Sequence, residues 1–410
     1  MGTLVRTALS IGAAALFAGC GGLQPPIGAP GAMPRVSELA ARTNSKSYKV
    51  LYSFGASPDG NGPHSDLIGT GHTFYGTTLA GGANYCGSSS CGTVFSITTG
   101  GAEKVLHSFA DDGDGYFPFA GLTSVDGTLY GTTGNGGAYN SGIGGTVFSI
   151  TTGGTEKVLH SFGSGTDGRG PTAGLINVKG TLYGTTGAGG AYNAGTVFSI
   201  TTGGTEKVLH SFTGGADGDD PESGLIEVGG KLYGTTNGGG THNKGTVFSI
   251  TTRGRERVLH SFRANGTDGE LPEAGLTDVG GTLYGTTIAG GSNKCANGYG
   301  CGTVFSITTN GTEKVLHSFG KRNDGWYPAA GVLDVKGTLY GTTAAGGSTE
   351  NGGTVFSITT GGVENVLHRF GGGSDGFQPL SDLNYEFGSL VGTTYLGGVH
   401  GVGTIFSLTP

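Results

Sequence analysis

The pattern of hydrophobic and polar residues repeats seven times between Tyr48 and Pro410. Each copy carries, in the same order, a run such as KVLHSF, a DGxxP loop, a run such as GTLYGTT and a run such as GTVFSITT. Successive copies are 50 to 57 residues apart, measured between the phenylalanines that end the first run: Phe54, Phe109, Phe162, Phe212, Phe262, Phe319 and Phe370. A unit of this length in a constant order predicts one repeat architecture rather than several unrelated domains.

The apolar runs predict four strands in each copy. In one copy, strands are expected at 173–178, 181–186, 196–201 and 207–212, separated by turns that are rich in glycine. The runs are rich in Val, Ile, Thr, Tyr and Phe, and bulky residues occupy both alternating positions, as in a sheet that is covered on both faces. A four-stranded unit of about 50 residues is typical of a propeller blade.

The two ends of the repeat region complement each other. The first copy opens with only the fourth strand, at 49–54, and the last copy stops after the third strand, at 403–408. Pairing of these two strands would complete one blade and satisfy edges that an open array leaves exposed. Residues 48–410 are therefore predicted to form an all-β, seven-bladed β-propeller. It has four antiparallel strands per blade and is closed by its N-terminal strand.

Two known kinds of protein resemble this pattern. The order of the strands, the paired glycines after the second strand and the expected closure are similar to kelch-type propellers, although these strands carry no tryptophan. More closely, the repeated GTLYGTT and GTVFSITTGGTEKVLHSF resemble the GloVer tandem repeat family of bacterial exported proteins. That resemblance implies a propeller-like domain displayed through a cell-surface anchor, and it supplies no catalytic residues.

The first 47 residues differ from the repeats. Residues 1–20 combine Arg6, a small and apolar stretch, and the ending LFAGC, which resembles a bacterial lipobox whose cysteine is Cys20. They predict a lipoprotein-type signal peptide with lipidation at Cys20, with an ordinary secretory signal as the alternative. Residues 21–47 are rich in proline, glycine and alanine and predict an extended tether.

Cysteines and charge indicate the compartment and the partners. Cys86 with Cys91 and Cys295 with Cys301 each bracket a short loop, so we expect two local disulfides and an oxidising, extracytoplasmic location. A zinc site is the alternative, but it would require two pairs from distant repeats to meet. Only 12% of residues are charged, the net charge is −7 and no basic stripe is present. Nucleic acid is therefore not expected as a partner. The domain is expected to be a monomer that contacts a membrane only through its anchor.

Histidine and aspartate recur at fixed places. Histidine stands in the fourth strand of six copies, at His107, His160, His210, His260, His317 and His368, and Tyr52 takes this place in the first. Fourth strands are outermost in a kelch-like blade, so these histidines cannot share one ion and predict structural hydrogen bonds. The aspartate of DGxxP is expected to cap its own turn. No other cofactor is indicated, but calcium is an alternative at two aspartate clusters. They are Asp111, Asp112 and Asp114 in one loop, and Asp217, Asp219 and Asp220 in another.

Most of the variation lies in the loops at one end of the blades. Because strands alternate in direction, the DGxxP loops and the second-to-third connections should emerge on the same face, and the latter hold both cysteine pairs. The variable places of DGxxP are aromatic in three copies, which supply Tyr116, Phe117, Trp326, Tyr327 and Phe377. We expect these rings to be exposed and to stack on sugars, with packing between blades as the alternative.

The favoured function is therefore an exported, lipid-anchored propeller that serves as a binding platform for carbohydrate. A protein-interaction scaffold at the cell surface is one alternative. A carbohydrate-active hydrolase or lyase is the other, because Glu222 and Glu273 follow the DGxxP proline in successive copies and would suit paired carboxylates beside the channel. Enzymatic activity is less favoured, since the sequence holds no unique pairing of a nucleophile with a base.

Overall fold

The computed structural model describes residues 47–139, 144–295, 300–321, 324–348 and 350–410. The predicted fold is confirmed: seven antiparallel sheets, six of four strands and one with a short fifth strand, form the blades of a closed propeller. The predicted signal peptide, Cys20 and all of the tether except Ser47 lie outside the described residues. Among the described residues, no helix is long and apolar enough to cross a membrane.

Blades are numbered 1 to 7 in chain order, and each contains the four predicted strands. The first strands are Ile68–Thr70, Thr123–Val125, Ile176–Val178, Ile226–Val228, Thr277–Val279, Leu333–Val335 and Asn384–Glu386. The second strands are Thr73–Gly81, Thr128–Thr133, Thr181–Thr186, Lys231–Thr236, Thr282–Thr287, Thr338–Thr343 and Ser389–Thr394. The third strands are Thr93–Thr98, Thr146–Thr151, Thr196–Thr201, Thr246–Thr251, Thr303–Thr308, Thr354–Thr359 and Thr404–Leu408. The fourth strands of blades 1 to 6 are Glu103–Ser108, Glu156–Ser161, Glu206–Ser211, Glu256–Ser261, Glu313–Ser318 and Glu364–Arg369.

Blade 7 takes its fourth strand from the other end of the chain. Tyr48–Ser53 pairs antiparallel with Thr404–Leu408, in a register that runs from Tyr48 opposite Leu408 to Ser53 opposite Thr404. This pairing contains a register shift, as do the pairings of third and fourth strands in the other blades. The predicted closure is therefore confirmed.

Short additional elements lie on the loops. They are the strands Gly60–Pro63, Tyr85–Cys86, Ser89–Ser90, Gly168–Arg169, Ala188–Gly189, Gly269–Glu270 and Ala289–Gly290, and the 3-10 helix Gly373–Asp375. Both predicted disulfides are present, Cys86–Cys91 and Cys295–Cys301. They agree with an oxidising, extracytoplasmic environment.

The first strand of each blade is shorter than predicted. The expected strand at 173–178 is confined to Ile176–Val178, and first strands of neighbouring blades contact one another around the central channel. The residues before it are held differently, because the Thr132 hydroxyl of blade 2 donates to the Ala173 carbonyl at 3.0 Å. A side chain of the preceding blade therefore takes the place of a strand partner for this segment.

Each letter of the repeated GTT in the second strand has a structural reason. A Cβ on Gly184 would lie 2.7 Å from Phe198 and 2.8 Å from Leu175, so only glycine lets the third strand's ring pack here. The first threonine, Thr185, donates to the next blade's Ser223 carbonyl at 3.0 Å. The second, Thr186, shares a hydrogen bond of 2.9 Å with Thr196 of the third strand. The repetition of GTT thus reflects packing and hydrogen bonding that every blade needs.

Phenylalanine pairs join neighbouring blades. The phenylalanine after each fourth strand meets a third-strand phenylalanine of the next blade edge to face, with ring centroids 5.0 to 5.3 Å apart. The pairs are Phe54–Phe95, Phe109–Phe148, Phe162–Phe198, Phe212–Phe248, Phe262–Phe305, Phe319–Phe356 and Phe370–Phe406. Edge-to-face pairing adds to the stabilisation from burying the rings. Because the pairs occur at all seven boundaries, the core is a continuous ring between blades.

We expect Gly184→Ala to lower the free energy of unfolding by about 1–3 kcal/mol, the usual cost of overpacking a core. The added methyl group has no free space beside Phe198 and Leu175. Urea unfolding of the variant measures the effect. Gly180→Ala is the control for removing a glycine, because a Cβ there meets nothing within 4 Å, although its φ of 83° adds strain. Equal stability of Gly184→Ala and the wild type would contradict the packing described here.

Candidate functional site

The DGxxP loops and the second-to-third connections lie on one face, as predicted. In blade 3, Gly168–Arg169 of the loop pairs with Ala188–Gly189 beyond the second strand. Single bridges join the same two segments elsewhere, such as Trp326 with Ala345. This surface is called the loop face below, and the central channel opens on it.

The aromatic residues predicted as ligand contacts lie on the loop face, but the expectation that they are exposed is wrong. All five are half-buried: Tyr116, Phe117, Trp326, Tyr327 and Phe377. Tyr116 and Trp326 pack against the apolar core between blades. Their backbones form single bridges with Asn135 and Ala345, just beyond the second strands of their blades. Among the described residues of the second-to-third connections, the tyrosines Tyr85, Tyr139 and Tyr192 are exposed.

The second variable residue of DGxxP has a left-handed backbone in all seven copies, with φ between 54° and 62°: Gly62, Phe117, Gly170, Asp220, Leu271, Tyr327 and Gln378. At Phe117 the amide donates to Cys91 of blade 1, and the carbonyl accepts from Gly134 of blade 2. The conformation therefore connects two blades. Five copies carry a side chain despite a cost of about 1–2 kcal/mol relative to glycine.

A ring of side chains surrounds the mouth of the channel on the loop face. It is formed by the residue after the DGxxP proline, and its members differ although their neighbours in sequence are nearly constant: His64, Phe119, Thr172, Glu222, Glu273, Ala329 and Leu380. The cavity that they line measures about 250 Å³. Variation at one position of an otherwise uniform repeat could have identified this ring from sequence, but only its two glutamates were singled out.

Carboxylates of blades 4 and 5 form one side of the mouth. The Asn237 side-chain amide lies 3.4 Å from an oxygen of Glu222 and 3.4 Å from an oxygen of Glu273, so these oxygens are no more than twice that distance apart. Burial, together with the charge of Glu222, raises the pKa of Glu273 to about 7, and the hydrogen bond from Asn237 opposes this rise. Burial and the charge of Glu222 also raise the pKa of Asp220 to about 7. The structure therefore brings together the two glutamates predicted from sequence and adds two partners.

Blades 7 and 1 place a second acidic pair in the channel. Asp66 and Asp382 stand where the other five copies have glycine. They are exposed, but to the channel, and the Gly331 amide donates to Asp382 at 2.6 Å. The surrounding protein raises the pKa of Asp66, and it raises the pKa of Asp382 to about 6 together with the charge of Asp66. The channel therefore favours a ligand that donates hydrogen bonds.

His64 lies at the mouth beside this pair. Its ring meets those of Phe119 and Tyr395 edge to face, with centroids 6.0 and 6.2 Å apart. Burial lowers the pKa of His64, so the neutral imidazole is favoured. The mouth thus combines acceptors on two sides with apolar rings between them.

At the outer rim, the repeated histidines make the predicted structural contacts. His107 Nε2 lies 2.9 Å from Asp114, and His160 Nε2 lies 3.0 Å from Asp167. The same contact recurs at 3.0 to 3.5 Å for His210, His260, His317 and His368. In the first copy, which has Tyr52 in place of the histidine, the Tyr52 hydroxyl donates to Asp59 at 2.9 Å. The DGxxP aspartate also accepts from backbone amides of its own loop, as expected for a turn.

The aspartates considered for calcium point to different partners. Asp114 and Asp217 face their histidines, and Asp220 lies at the channel mouth. Asp111 and Asp112 are exposed. In the described part of the chain, groups of three or more possible metal ligands contain histidine, aspartate and glutamate, and none includes Asp111, Asp112, Asp219 or Asp220.

The sequence model of the Gloeobacter/Verrucomicrobia repeat matches residues 84–299 and 295–410, which is most of the propeller. The chain belongs to this repeat family. The resemblance expected from the GTLYGTT and GTVFSITT runs is therefore confirmed. No curated protein matches the sequence.

Comparison with solved structures gives matches of low sequence identity. A gluconolactonase from Xanthomonas campestris is 13% identical, with a TM-score of 0.45, and the match covers 90% of the repeat protein and 92% of the gluconolactonase. A puromycin-hydrolysing peptidase from Mycobacterium tuberculosis is 10% identical, with a TM-score of 0.48 over 80% of this chain and 48% of the peptidase. A luciferin-regenerating enzyme is 11% identical, with a TM-score of 0.42 over 69% and 88% of the two chains. None of these similarities bears on the activity of this repeat protein.

The mouth carboxylates make the stability of this repeat protein depend on pH. Glu273 has a raised pKa in the folded state, so its contribution is fully present below its unfolded pKa and is lost as the pH rises through about 7. We expect Glu273→Gln to raise the free energy of unfolding by about 1–3 kcal/mol at pH 8.5 and to have no stabilising effect at pH 4. Urea unfolding at both pH values measures this. A variant that is no more stable than the wild type at pH 8.5 would show that burial and the charge of Glu222 do not disfavour the charged form of Glu273.

Proposed function

We propose that this protein is an exported, lipid-anchored binding platform and that it binds carbohydrate at the channel mouth. The observation that carries the proposal is the ring after the DGxxP proline. It holds six residue types in seven copies, beside positions that the fold keeps nearly constant. On a scaffold built from one repeated unit, function lies where the repetition is broken.

The chemistry of the mouth suits a sugar. Glu222, Glu273 and Asp220 offer carboxylate oxygens to hydroxyl groups, and Asn237 offers both a donor and an acceptor. Aromatic rings such as Phe119 provide apolar surface for the C–H face of a sugar ring. A cavity of about 250 Å³ is close to the ~300 Å³ lower limit of ligand pockets, so one sugar unit or the end of a chain is the expected occupant.

Export and anchoring have separate support. The two disulfides suit an oxidising compartment, and residues 1–20 have the pattern of a lipoprotein signal that ends at Cys20. A tether of residues 21–47 would hold the propeller away from the membrane. Metabolic labelling with a palmitate analogue tests the anchor. Label that disappears in Cys20→Ser is expected, and an unlabelled wild type in a bacterial host that processes lipoproteins would leave secretion as the route.

A thermal-melt screen against monosaccharides, oligosaccharides and polysaccharides tests the ligand class. A ligand that binds only the folded state raises the free energy of unfolding by about 2.7 kcal/mol at a hundredfold excess over the dissociation constant, and the thermal midpoint rises with it. We expect at least one saccharide to raise the midpoint in the wild type and to lose this effect in Glu222→Gln. No shift with any saccharide would favour a protein ligand, for which the exposed Tyr85, Tyr139 and Tyr192 are the natural contacts.

A carbohydrate-active hydrolase or lyase is the second candidate, favoured by the geometry of Glu222 and Glu273. Their joint contact with Asn237 permits the ~5–5.5 Å separation of retaining glycosidases. A pKa of about 7 lets Glu273 hold the proton that a general acid needs. New reducing ends, or unsaturated products, formed from a bound polysaccharide would support catalysis if either glutamine variant abolishes them. Binding without products would leave the protein a lectin.

A further inference from the structure

A set of three side chains recurs at the boundaries between blades. Each set contains a histidine of one blade's fourth strand and the DGxxP aspartate that follows it in the sequence. Its third member is the glutamate that begins the fourth strand of the next blade. The five complete sets are His107–Asp114–Glu156, His160–Asp167–Glu206, His210–Asp217–Glu256, His260–Asp268–Glu313 and His317–Asp324–Glu364. The sequence alone did not reveal them, because the glutamate lies in another copy of the repeat.

In four of the sets the ligand atoms converge. One atom from each of the three side chains lies within 4.8 Å of the other two in every set except His210–Asp217–Glu256. In that set His210 is 3.5 Å from Asp217, whereas the other contacts are 2.9 to 3.2 Å. The histidines of the four sets are less than a quarter exposed and the aspartates less than a sixth. The groups are therefore shielded from bulk water.

The hydrogen bonds within a set leave one oxygen without a donor. The set of His160, Asp167 and Glu206 is an example. One carboxylate oxygen of Asp167 accepts from the Gly168 amide at 2.8 Å, and the other carboxylate oxygen faces His160. The Glu206 Oε1 atom is buried and has no hydrogen-bond partner in the described part of the chain. The same oxygen is in this state in Glu156, Glu256, Glu313 and Glu364, and also in Glu103, whose boundary has Tyr52 in place of the histidine. A buried acceptor without a donor is costly unless something else occupies the site.

We propose that the His–Asp–Glu sets bind divalent transition-metal ions, with zinc as the representative ion. One imidazole nitrogen and two carboxylate oxygens match the ligands that zinc takes, and three protein ligands leave one position for water. Calcium fits less well, because it takes six to eight oxygen ligands. The amide that holds Asp167 acts as the outer partner that orients a ligand. Each ion would connect two blades, since Glu206 belongs to the blade after His160.

Metal analysis after equilibrium dialysis of tag-free protein against micromolar zinc at pH 7.5 tests the proposal. We expect four to five equivalents per chain, one fewer in His160→Gln and one fewer in Glu206→Gln. Glu103→Gln is the matched control. Its boundary has Tyr52 in place of the histidine, so the amount of zinc should not change. Fewer than four equivalents, or the same amount in His160→Gln as in the wild type, would overturn the proposal.

A gain of binding provides an independent test. Tyr52→His completes a set with Asp59 and Glu103, so this variant should bind one equivalent more than the wild type. The thermal midpoint, measured with and without zinc, shows whether each variant is folded, and zinc should raise it in the wild type. A folded Tyr52→His protein that binds no additional zinc would contradict the assigned ligands. The sets would then be networks that share protons.

Discussion

Removal of residues 1–54 is expected to prevent the propeller from folding cooperatively. The deletion takes away Tyr48–Ser53, which leaves Thr404–Leu408 as an open sheet edge, and it removes Phe54 from its contact with Phe95. Loss of the buried Phe54 ring alone costs about 3–5 kcal/mol, and the lost strand adds to this. Calorimetry should show a broad transition or none, with aggregation through the exposed edge.

Removal of residues 1–46 is the matched control for that deletion. It keeps every strand of the ring, so the thermal midpoint should equal that of the full chain. If the protein without residues 1–54 melted at the same temperature as this control, the N-terminal strand would not close the ring in solution.

The second large effect is expected at the phenylalanine pairs. Phe212→Ala should lower the free energy of unfolding by about 3–5 kcal/mol, because it leaves a cavity against Phe248 at the boundary of blades 3 and 4. Phe387→Ala is the control, since this ring is 61% exposed and its loss should cost less than about 0.5 kcal/mol. Urea unfolding measures both. Equal losses would mean that the boundary between these blades is not a packed core.

The fold was predictable because its determinants lie within one copy and are repeated in every other. Gly184, Thr185 and Thr186 each serve one packing or hydrogen-bonding need, and the same need exists in all blades. The closing strand was predictable because an incomplete first copy and an incomplete last copy complement each other. The first strand was overestimated, since the Thr132 hydroxyl that holds Ala173 comes from another copy.

The site was predictable only in part. Glu222 and Glu273 were found because they follow the DGxxP proline in successive copies, but Asn237 lies after the second strand of its blade, where nothing pointed to the channel. Asp382 was overlooked although it stands where five copies have glycine. The prediction that Trp326 is exposed was wrong, because a residue's place in a loop does not specify whether its ring turns toward solvent or packs against the core between blades.

Repetition and variation have separate roles in this chain. The phenylalanine pairs occur at every boundary and the complete rim sets at five of the seven, which suits tasks that hold the ring together. The residues around the channel differ from blade to blade, and they place carboxylates on two sides, Glu222 and Glu273 on one and Asp66 and Asp382 on the other. A ring that is uniform outside and asymmetric at its mouth is suited to recognising one small ligand.

Isothermal titration of the best saccharide from the melt screen tests the location of this site most directly. It should compare the wild type with Glu273→Gln, Trp326→Ala and Glu227→Gln, the last of which alters a carboxylate that accepts from Gly230 in a turn on the opposite face. We predict that only Glu273→Gln weakens binding, by about tenfold or more, as expected when a charged hydrogen-bond acceptor is lost. Loss of binding in Trp326→Ala with none in Glu273→Gln would contradict a site at the channel mouth and place the ligand on the aromatic loops.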